Sequence, residues 1–429
     1  MSDNEKTKMA PGRYAITEAI LTNYTGRQLD IATLIYGFEV HENINLFFSE
    51  YKFNIVDGYN LIEDFKISGN EFLELSIIHY GDTSDTTKTI KLAVVGYDGY
   101  ARPNNRATGY VMRCVKPSAI AASVKTVNKS MDGSLTSMIE ILWNEITSPD
   151  DKLLNTANKS IGVHKVVWPG ITYVEAISAC LRKANAPEKD TYHFYDTLWA
   201  DSVFSEYSVM INSDEYDNYK LNHFDIADAQ SIKDHNLQKK AIRNITSNLN
   251  FSNYDSYKSG AVTSTFHNFD ISKKFYEIKK FDVNKDKTSR IENNPTVYSD
   301  YKVNGFSSSD LEEGISLIRT TNSYSYGVNS TLSDIQQATP EFTLNKLATS
   351  QNISAVSHEI TLLGDSKFHA GLTIDIQIPK ATDLIMRNIA PDFDEYQSGK
   401  YLVYGITHNF NEAGQYFMNV QLTKDSLKL

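Results

Sequence analysis

Alternation of apolar and polar positions with a period of two runs through much of this chain and is cleanest near its end. Residues 401–410 and 415–423 each alternate β-branched or aromatic side chains with polar ones, around the short polar stretch Asn411-Glu412-Ala413-Gly414. That pattern predicts a β-hairpin closed by a four-residue loop ending in Gly. It places Leu402, Tyr404, Ile406, His408 and Phe410 on one face of the first strand. Tyr416, Met418, Val420 and Leu422 share a face of the second.

The same period organises Tyr14 to Val115, in runs such as LDIATLIYGFEVHENI and FKISGNEFLELSIIHYG. Turn signals at Asp57-Gly58, Ser68-Gly69-Asn70, Tyr80-Gly81-Asp82 and Asp98-Gly99 punctuate them at intervals suited to an antiparallel barrel or sandwich. The pattern changes at Lys116. Pro117-Ser118 opens a helical stretch, and Ser134 is placed to cap a helix carrying Leu135, Met138, Ile139, Leu142 and Ile146 on one stripe. A third helix is predicted within Thr172–Ala186, followed by strands in YHFYDTLW and FSEYSVMI. The acidic stretch 213–240 yields no element. Strands return over Gly260–Val283, residues 284–355 read as long loops or irregular contact surface, and order resumes near Val356.

The expected fold class is α+β and β-rich, a β module, an α/β insertion and a second β module. In residue terms these are a flexible arm over 1–13, a first β module over 14–115 and a mixed α/β insertion over 116–215. Irregular and strand segments fill 216–355, those at about 258–283 belonging to the second module, whose closing part is 356–429. No internal repeat is evident by identity.

Composition narrows the function classes. With 41% hydrophobic and 22% charged residues among 429, the chain fits an ordinary globular protein with length for several cores. No apolar run approaches the roughly 20 residues a membrane helix needs, and the first dozen residues lack the apolar centre of a signal peptide. Folding in a cytosol is expected. The 42 basic and 53 acidic residues leave a net charge of -11, which repels duplex DNA and argues against sequence-specific nucleic-acid binding. Cys114 and Cys180 read as reduced core thiols. The 26 Tyr and 20 Phe suit strands and large contact surfaces.

Candidate chemistry is thin. His358, His369 and His408 share the last module without metal-ligand spacing, so strand histidines are the expectation and no metal or cofactor is predicted. Asp282-Val-Asn284-Lys-Asp286 begins like a calcium loop, but Lys287 stands where the sharp turn needs Gly and Glu292 falls one residue short of the bidentate position. Acid pairs such as Asp392 and Asp394, or Asp98 beside an aromatic strand, are expected by chance at this charge. GxSxG, phosphate-loop and Rossmann patterns are absent, and the sequons at Asn23 and Asn128 are silent in a cytosol. No catalytic residue is predicted.

Three islands carry a resemblance. One is Gly364-Asp365-Ser366-Lys367-Phe368-His369-Ala370-Gly371, a strand from Ile374 to Pro379, then Ser398-Gly399-Lys400-Tyr401-Leu402-Val403, His408 and Tyr416 to Leu427. Another is Asp57, Leu61, Ile62, Phe65, Ile67, Gly69, Asn70, Glu71, Leu73 and Leu75; the third is the strand pair Gly260–Asp282 with Asp270. In this order they resemble the central baseplate hub proteins of contractile-tailed phages, T-even-like tail hubs, and are similar to the hub half of type VI secretion spike proteins.

The resemblance implies two tail-tube-like antiparallel β-barrels per chain joined by the insertion. Three chains would form a ring of six barrels that adapts a three-fold spike to a six-fold tail tube around a DNA ejection channel. Implied partners are two further copies, the central puncturing spike, tail tube or tube-initiator proteins and a tape-measure protein. DNA would pass without specific binding. The implied location is the virion tail baseplate, assembled in the host cytoplasm, with no enzymatic activity. Two alternatives stay open at this point: a tail-associated peptidoglycan hydrolase and a β-rich receptor-binding module.

Overall fold

The structure, a computed structural model, describes residues 12–80, 85–104, 107–147, 151–212, 220–223, 238–249, 258–260, 263–270, 274–286, 289–291, 316–321, 342–350, 353, 356–378, 380, 393–395 and 397–425. Asp392, the turn at Gly81-Asp82 and most of the expected irregular stretches 213–240 and 284–355 lie outside them.

Seven strands follow one another in the first part of the chain: β1 (Arg13–Thr22), β2 (Gln28–Asp30), β3 (Ile35–Asn43), β4 (Glu50–Asp57), β5 (Phe72–Tyr80), β6 (Thr86–Asn104) and β7 (Ala107–Val115). They pair antiparallel in the order β2-β1-β5-β6-β7-β4-β3. Inward positions alternate as the pattern predicts, with Phe38, Val40, Tyr51, Phe53, Ile55, Leu73, Leu75 and Ile77 all buried in one core. The run LDIATLIYGFEVHENI is not continuous. The Asp30 carboxylate accepts from Ala32 N and Ala19 N and breaks it into β2, a 3-10 turn and β3.

The island from Asp57 to Leu75 is a connection held by two buried carboxylates. Asp57 accepts from the backbone of Tyr59 and Leu61 and starts the short helix α1 (Leu61–Asp64). Glu71 accepts from Ser68 N, Gly69 N and the Tyr97 hydroxyl. Leu61 and Phe65 enter the core between these anchors.

The helices expected after Lys116 form. They are α2 (Pro117–Val124), α3 (Leu135–Asn144) and α4 (Tyr173–Lys183). Ser134 caps α3 by accepting from Ser137 N. Thr172 and Glu175 make a reciprocal capping box on α4. With β8 (Thr126–Gly133), β9 (Leu153–Asn155), β10 (His164–Thr172), β11 (Tyr192–Asp196) and β12 (Ser202–Glu206), they enclose a second core around Met138, Leu142, Trp143, Ile177 and Phe204. Phe47 and Phe48 reach into it from the loop after β3, Phe48 stacking on Trp143 at 5.9 Å. FSEYSVMI is strand only to Glu206. Tyr207, Met210 and Ile211 are buried at helical spacing, and α5 (Tyr207–Ile211) forms instead.

The remaining strands are β13 (Lys220–His223), β14 (Ala241–Ile242), β15 (Asn244–Leu249), β16 (Thr263–Asp270), β17 (Phe275–Asp282), β18 (Ser316–Thr321), β19 (Val356–Leu363), β20 (Thr373–Gln377), β21 (Gly399–Phe410) and β22 (Tyr416–Lys424). β16, β17 and β18 form a separate sheet whose Phe266 and Phe281 pack with Leu344 and Ala348 of a helical segment at 342–350. The other strands do not form a second sheet. β21 pairs with β22, with β20 and, from Gly405 to Phe410, with β3, so both ends of the chain belong to one 14-stranded sheet. Regular pairings close no barrel among the described residues. One isolated bridge, Arg13 with Gln415, brings the start of β1 onto the hairpin turn.

Candidate functional site

The hairpin forms where alternation predicts it, and β22 directs Tyr416, Met418, Val420 and Leu422 into the main core. The first strand departs from simple alternation. A bulge between Val403 and Gly405 shifts its phase by one residue. Ile406, His408 and Phe410 therefore share the main core with Tyr401 and Val403, whereas Leu402 and Tyr404 face a different cluster built on Tyr195, Tyr207 and Met210. Gly405 sits at the crossing; a Cβ there would lie 2.9 Å from the Asn43 side chain and 3.1 Å from Glu42 O, so β21 and β3 approach closely at this point.

On the inward side of that junction lies a buried polar chain. Trp199 donates its indole N–H to the Tyr416 hydroxyl at 3.0 Å, and Tyr416 lies 2.7 Å from His408 Nδ1. Because Tyr416 accepts from Trp199, its own proton is available to Nδ1, which leaves the protonated Nε2 facing Glu42. Nε2 stands 3.3 Å from Glu42 Oε2, an ion-pair distance without good hydrogen-bond alignment. Glu42 also accepts from Ala370 N at 2.7 Å and Leu198 N at 2.8 Å. Burial opposes its ionisation, but His408 and the two backbone donors outweigh that and hold the carboxyl below its ordinary range. Four separate stretches meet at this carboxylate: β3, the loop after β11, the Gly364–Gly371 island and the hairpin.

The other residues of the closing island are anchors as well. Tyr401 donates to Gln397 O and lies 2.9 Å from His358 Nε2, whose Nδ1 meets Ser247 Oγ. Lys424 is fully buried, its Nζ donating to Ser398 O over the Tyr401 ring. Asp425 accepts from the Tyr207 hydroxyl and from Ile291 N, each at 3.0 Å. Ser398 accepts from Ile378 N. The island reads as a set of polar fasteners around β20 to β22.

A second buried pair ties the main sheet to the helical core. Lys116 Nζ lies 2.6 Å from Asp196 Oδ1, with Ser49 and Ser202 also on that carboxylate. Beside it Lys88 pairs with Asp201 at 2.5 Å. These pairs border a cleft of about 780 Å³ between β5–β6 and the helical core, lined by Phe72, Glu74, Lys91, Ala121, Ile146 and Lys152.

Among the described residues the sequence candidates do not assemble into a reactive constellation. His408 and His358 are in the networks above, and His369 contacts Ala370 O. No group of three or more His, Cys, Asp or Glu is placed to hold a metal ion among the described residues. The calcium-like start at Asp282 runs into a helical turn, Val283–Asp286, whose Asp286 carboxylate accepts from Asp282 N. Asp98 pairs with Arg113, and Asp394 accepts from Gln397 N. Cys114 and Cys180 are buried, and burial pushes the Cys180 thiol up to about 12. The sequon residue Asn23 is buried and organises its own turn, accepting from Thr25 and Arg27. Glu42, Lys116 and Asp196 had no motif to flag them. The available signal for Glu42 was its phase, since it continues the inward set Phe38 and Val40 of β3.

Neither a protein-family model nor a curated protein sequence matches the chain. Among solved structures it shares its fold with a tail protein from Neisseria meningitidis MC58, at 10% identity and TM-score 0.51, over 97% of this chain and 98% of that one. It is similar in the same way to the 43 kDa tail protein of prophage MuSo2 from Shewanella oneidensis, at 9% identity and TM-score 0.50, over 96% and 99%. A looser likeness, TM-score 0.43 at 9% identity over 96% of this chain and 77% of that one, is to an E. coli component of the type VI secretion system. The resemblance read from the sequence holds at the level of fold.

Proposed function

We propose that this chain is a structural virion protein, the trimeric hub of a tail baseplate that adapts a three-fold spike to a six-fold tail tube and forms part of the DNA ejection channel. One observation carries the reading: the fold likeness to two proteins described as tail proteins, one of them of a prophage, runs essentially end to end in both chains. In this reading residues 14–115 are one tube-like barrel unit. The strands of 356–429 supply the second and 116–215 is the insertion between them, while the separate sheet of β16, β17 and β18, expected in the second unit, stands outside both. The spike, tube or tube-initiator proteins and a tape-measure protein are its partners, and it resides in the tail baseplate after assembly in the host cytoplasm. The net charge of -11 suits a channel past which DNA slides without sticking. Its role is mechanical, and the buried carboxylates described above fasten the fold and do no catalysis. Light scattering tests the reading: the purified chain runs as three copies and clears no cell-wall substrate. A protein that stays monomeric at all concentrations, or that lyses peptidoglycan, overturns it.

A further inference from the structure

A ring of identical chains closes by contacts in which each copy offers two different surfaces to its neighbours. Two patches of exposed large apolar side chains on this chain differ in that way. The first lies at one end of the main sheet. Tyr100 falls in the bulge of β6 opposite Tyr110, whose partner on β4 is Ile55; Asp57, at the end of β4, accepts from Tyr59 N, and Tyr59 and Ile62 flank the start of α1. Tyr59 is 69% exposed and Tyr100 62%. Exposed Glu63 and Asp64 follow directly in α1. Arg27 is turned onto the Phe65 ring and the Asp64 carbonyl; exposed Lys66, just past α1, and Arg102, further along β6, are basic.

The second patch is the outer face of the sheet made by β16, β17 and β18, opposite the face that packs on residues 342–350. Tyr276, Ile278 and Lys280 point outward along β17, Tyr276 at 48% and Ile278 at 54% exposure. Tyr276 is held rigid, stacked on Phe269 at 4.5 Å and on His267, to which it also hydrogen-bonds at 2.6 Å. Lys274 is exposed at the strand's start. Prepaid rigidity in Tyr and Phe suits the centre of an interface, because little side-chain freedom is left to lose.

We infer that the Tyr276–Ile278 face of one copy, rimmed by Lys274 and Lys280, docks on the Tyr59–Tyr100 end of the next copy, rimmed by Glu63 and Asp64. The contact is head to tail, aromatic at its centre and of opposite charge at its edges, and it deepens the trimeric hub reading on which it rests.

Ile278→Asp and Tyr59→Asp, each checked for native circular dichroism, test it by light scattering. Each variant is expected to run as a single chain where the parent runs as three. Mixing the two leaves one intact contact per pair, so the mixture is expected to reach two chains and no more. Variants that remain trimeric overturn this contact while leaving the hub reading standing. A parent chain that never associates overturns both. Single-chain variants whose mixture stays at one chain overturn the head-to-tail pairing.

Discussion

Glu42 Oε2 and His408 Nε2 stand 3.3 Å apart with both side chains fully buried, and they join the third strand of the chain to its penultimate one. Removing His408 leaves the buried Glu42 carboxylate with only its two backbone donors, and removing Glu42 leaves a buried Nε2–H without an acceptor, a loss of about 1–3 kcal/mol in each case. His408→Ala and Glu42→Ala are each expected to lose that much in urea denaturation. The double variant is expected to lose less than the sum. Additive losses would mean the two side chains do not act together.

Gly364 allows β19 to end against the Tyr416 ring, where a Cβ would lie 1.9 Å from a ring carbon. Gly364→Ala therefore displaces Tyr416 from His408 and Trp199. The overpacking alone costs about 1–3 kcal/mol, and the disturbed hydrogen bonds add to it. Tyr416→Ala removes the Cγ and Cδ1 that the added Cβ meets, so in that background Gly364→Ala should cost less than it does in the parent. A Gly364→Ala protein with the parent melting temperature contradicts this packing.

Lys116→Met leaves Asp196 buried with only weaker partners, Ser49 N at 3.4 Å and Ser202 Oγ at 3.3 Å. A loss of about 3–5 kcal/mol is expected. Pairing it with Asp196→Leu should restore most of it, because well-packed apolar replacements of buried ion pairs are often close to neutral. Equal stability of the single and double variants would rule the latch out.

Acid should loosen the protein before Glu42 is neutralised. Burial pushes His193 and His358 down to about 4. Both stay neutral in the fold while the unfolded chain takes up protons below its ordinary value of about 6.5. Their contribution is therefore complete above roughly 6.5 and is lost as pH falls towards 4. Glu42, held low, releases its contribution only at still lower pH. The urea midpoint should fall between pH 6.5 and 4, and His358→Gln should flatten that limb. A midpoint flat across this range contradicts the assignment.

Deleting Ala413 should damage more than the hairpin. Its carbonyl accepts from the Arg13 guanidinium at 2.6 Å, and neighbouring Gly414 O accepts from Tyr14 N. One residue fewer exchanges the faces of whichever strand slips, and it also unseats the start of β1. The expected result is loss of assembly, read as loss of the trimeric species, beyond that caused by His408→Ala. A trimeric deletion variant beside a monomeric His408→Ala would invert this ranking.

Local signals were legible wherever a residue's neighbours in sequence decide its state. Ser134 and Thr172 cap helices because their side chains meet backbone N–H groups three residues on. The hairpin alternates because both strands are inward on one side. The shift between Val403 and Gly405 was invisible, and so was the close approach of Gly405 to Asn43 and Glu42 on a distant strand. The same holds for the single sheet: β3 and β21 have no shared local pattern, and their pairing appears only in three dimensions. Glu42 was readable as a carboxylate on an apolar face, but its partner His408 was not. Tyr207–Ile211 reads as strand by composition and folds as helix because Tyr207 is drawn to Asp425 and Met210 to the cluster around Tyr195.

The pairing of β3 with β21 has a consequence for how the chain is made. His41 and Thr407, bonded across this seam, are 366 residues apart in sequence. On the ribosome, β1 to β7 emerge early with the outer edge of β3 bare and Phe38 without its stacking partner Phe410. An unpaired edge of that kind recruits other strands, and contacts so distant in sequence form slowly. The early strands must therefore be kept apart from other nascent chains until the last hairpin arrives. A chain released before that hairpin is complete would be an adhesive fragment.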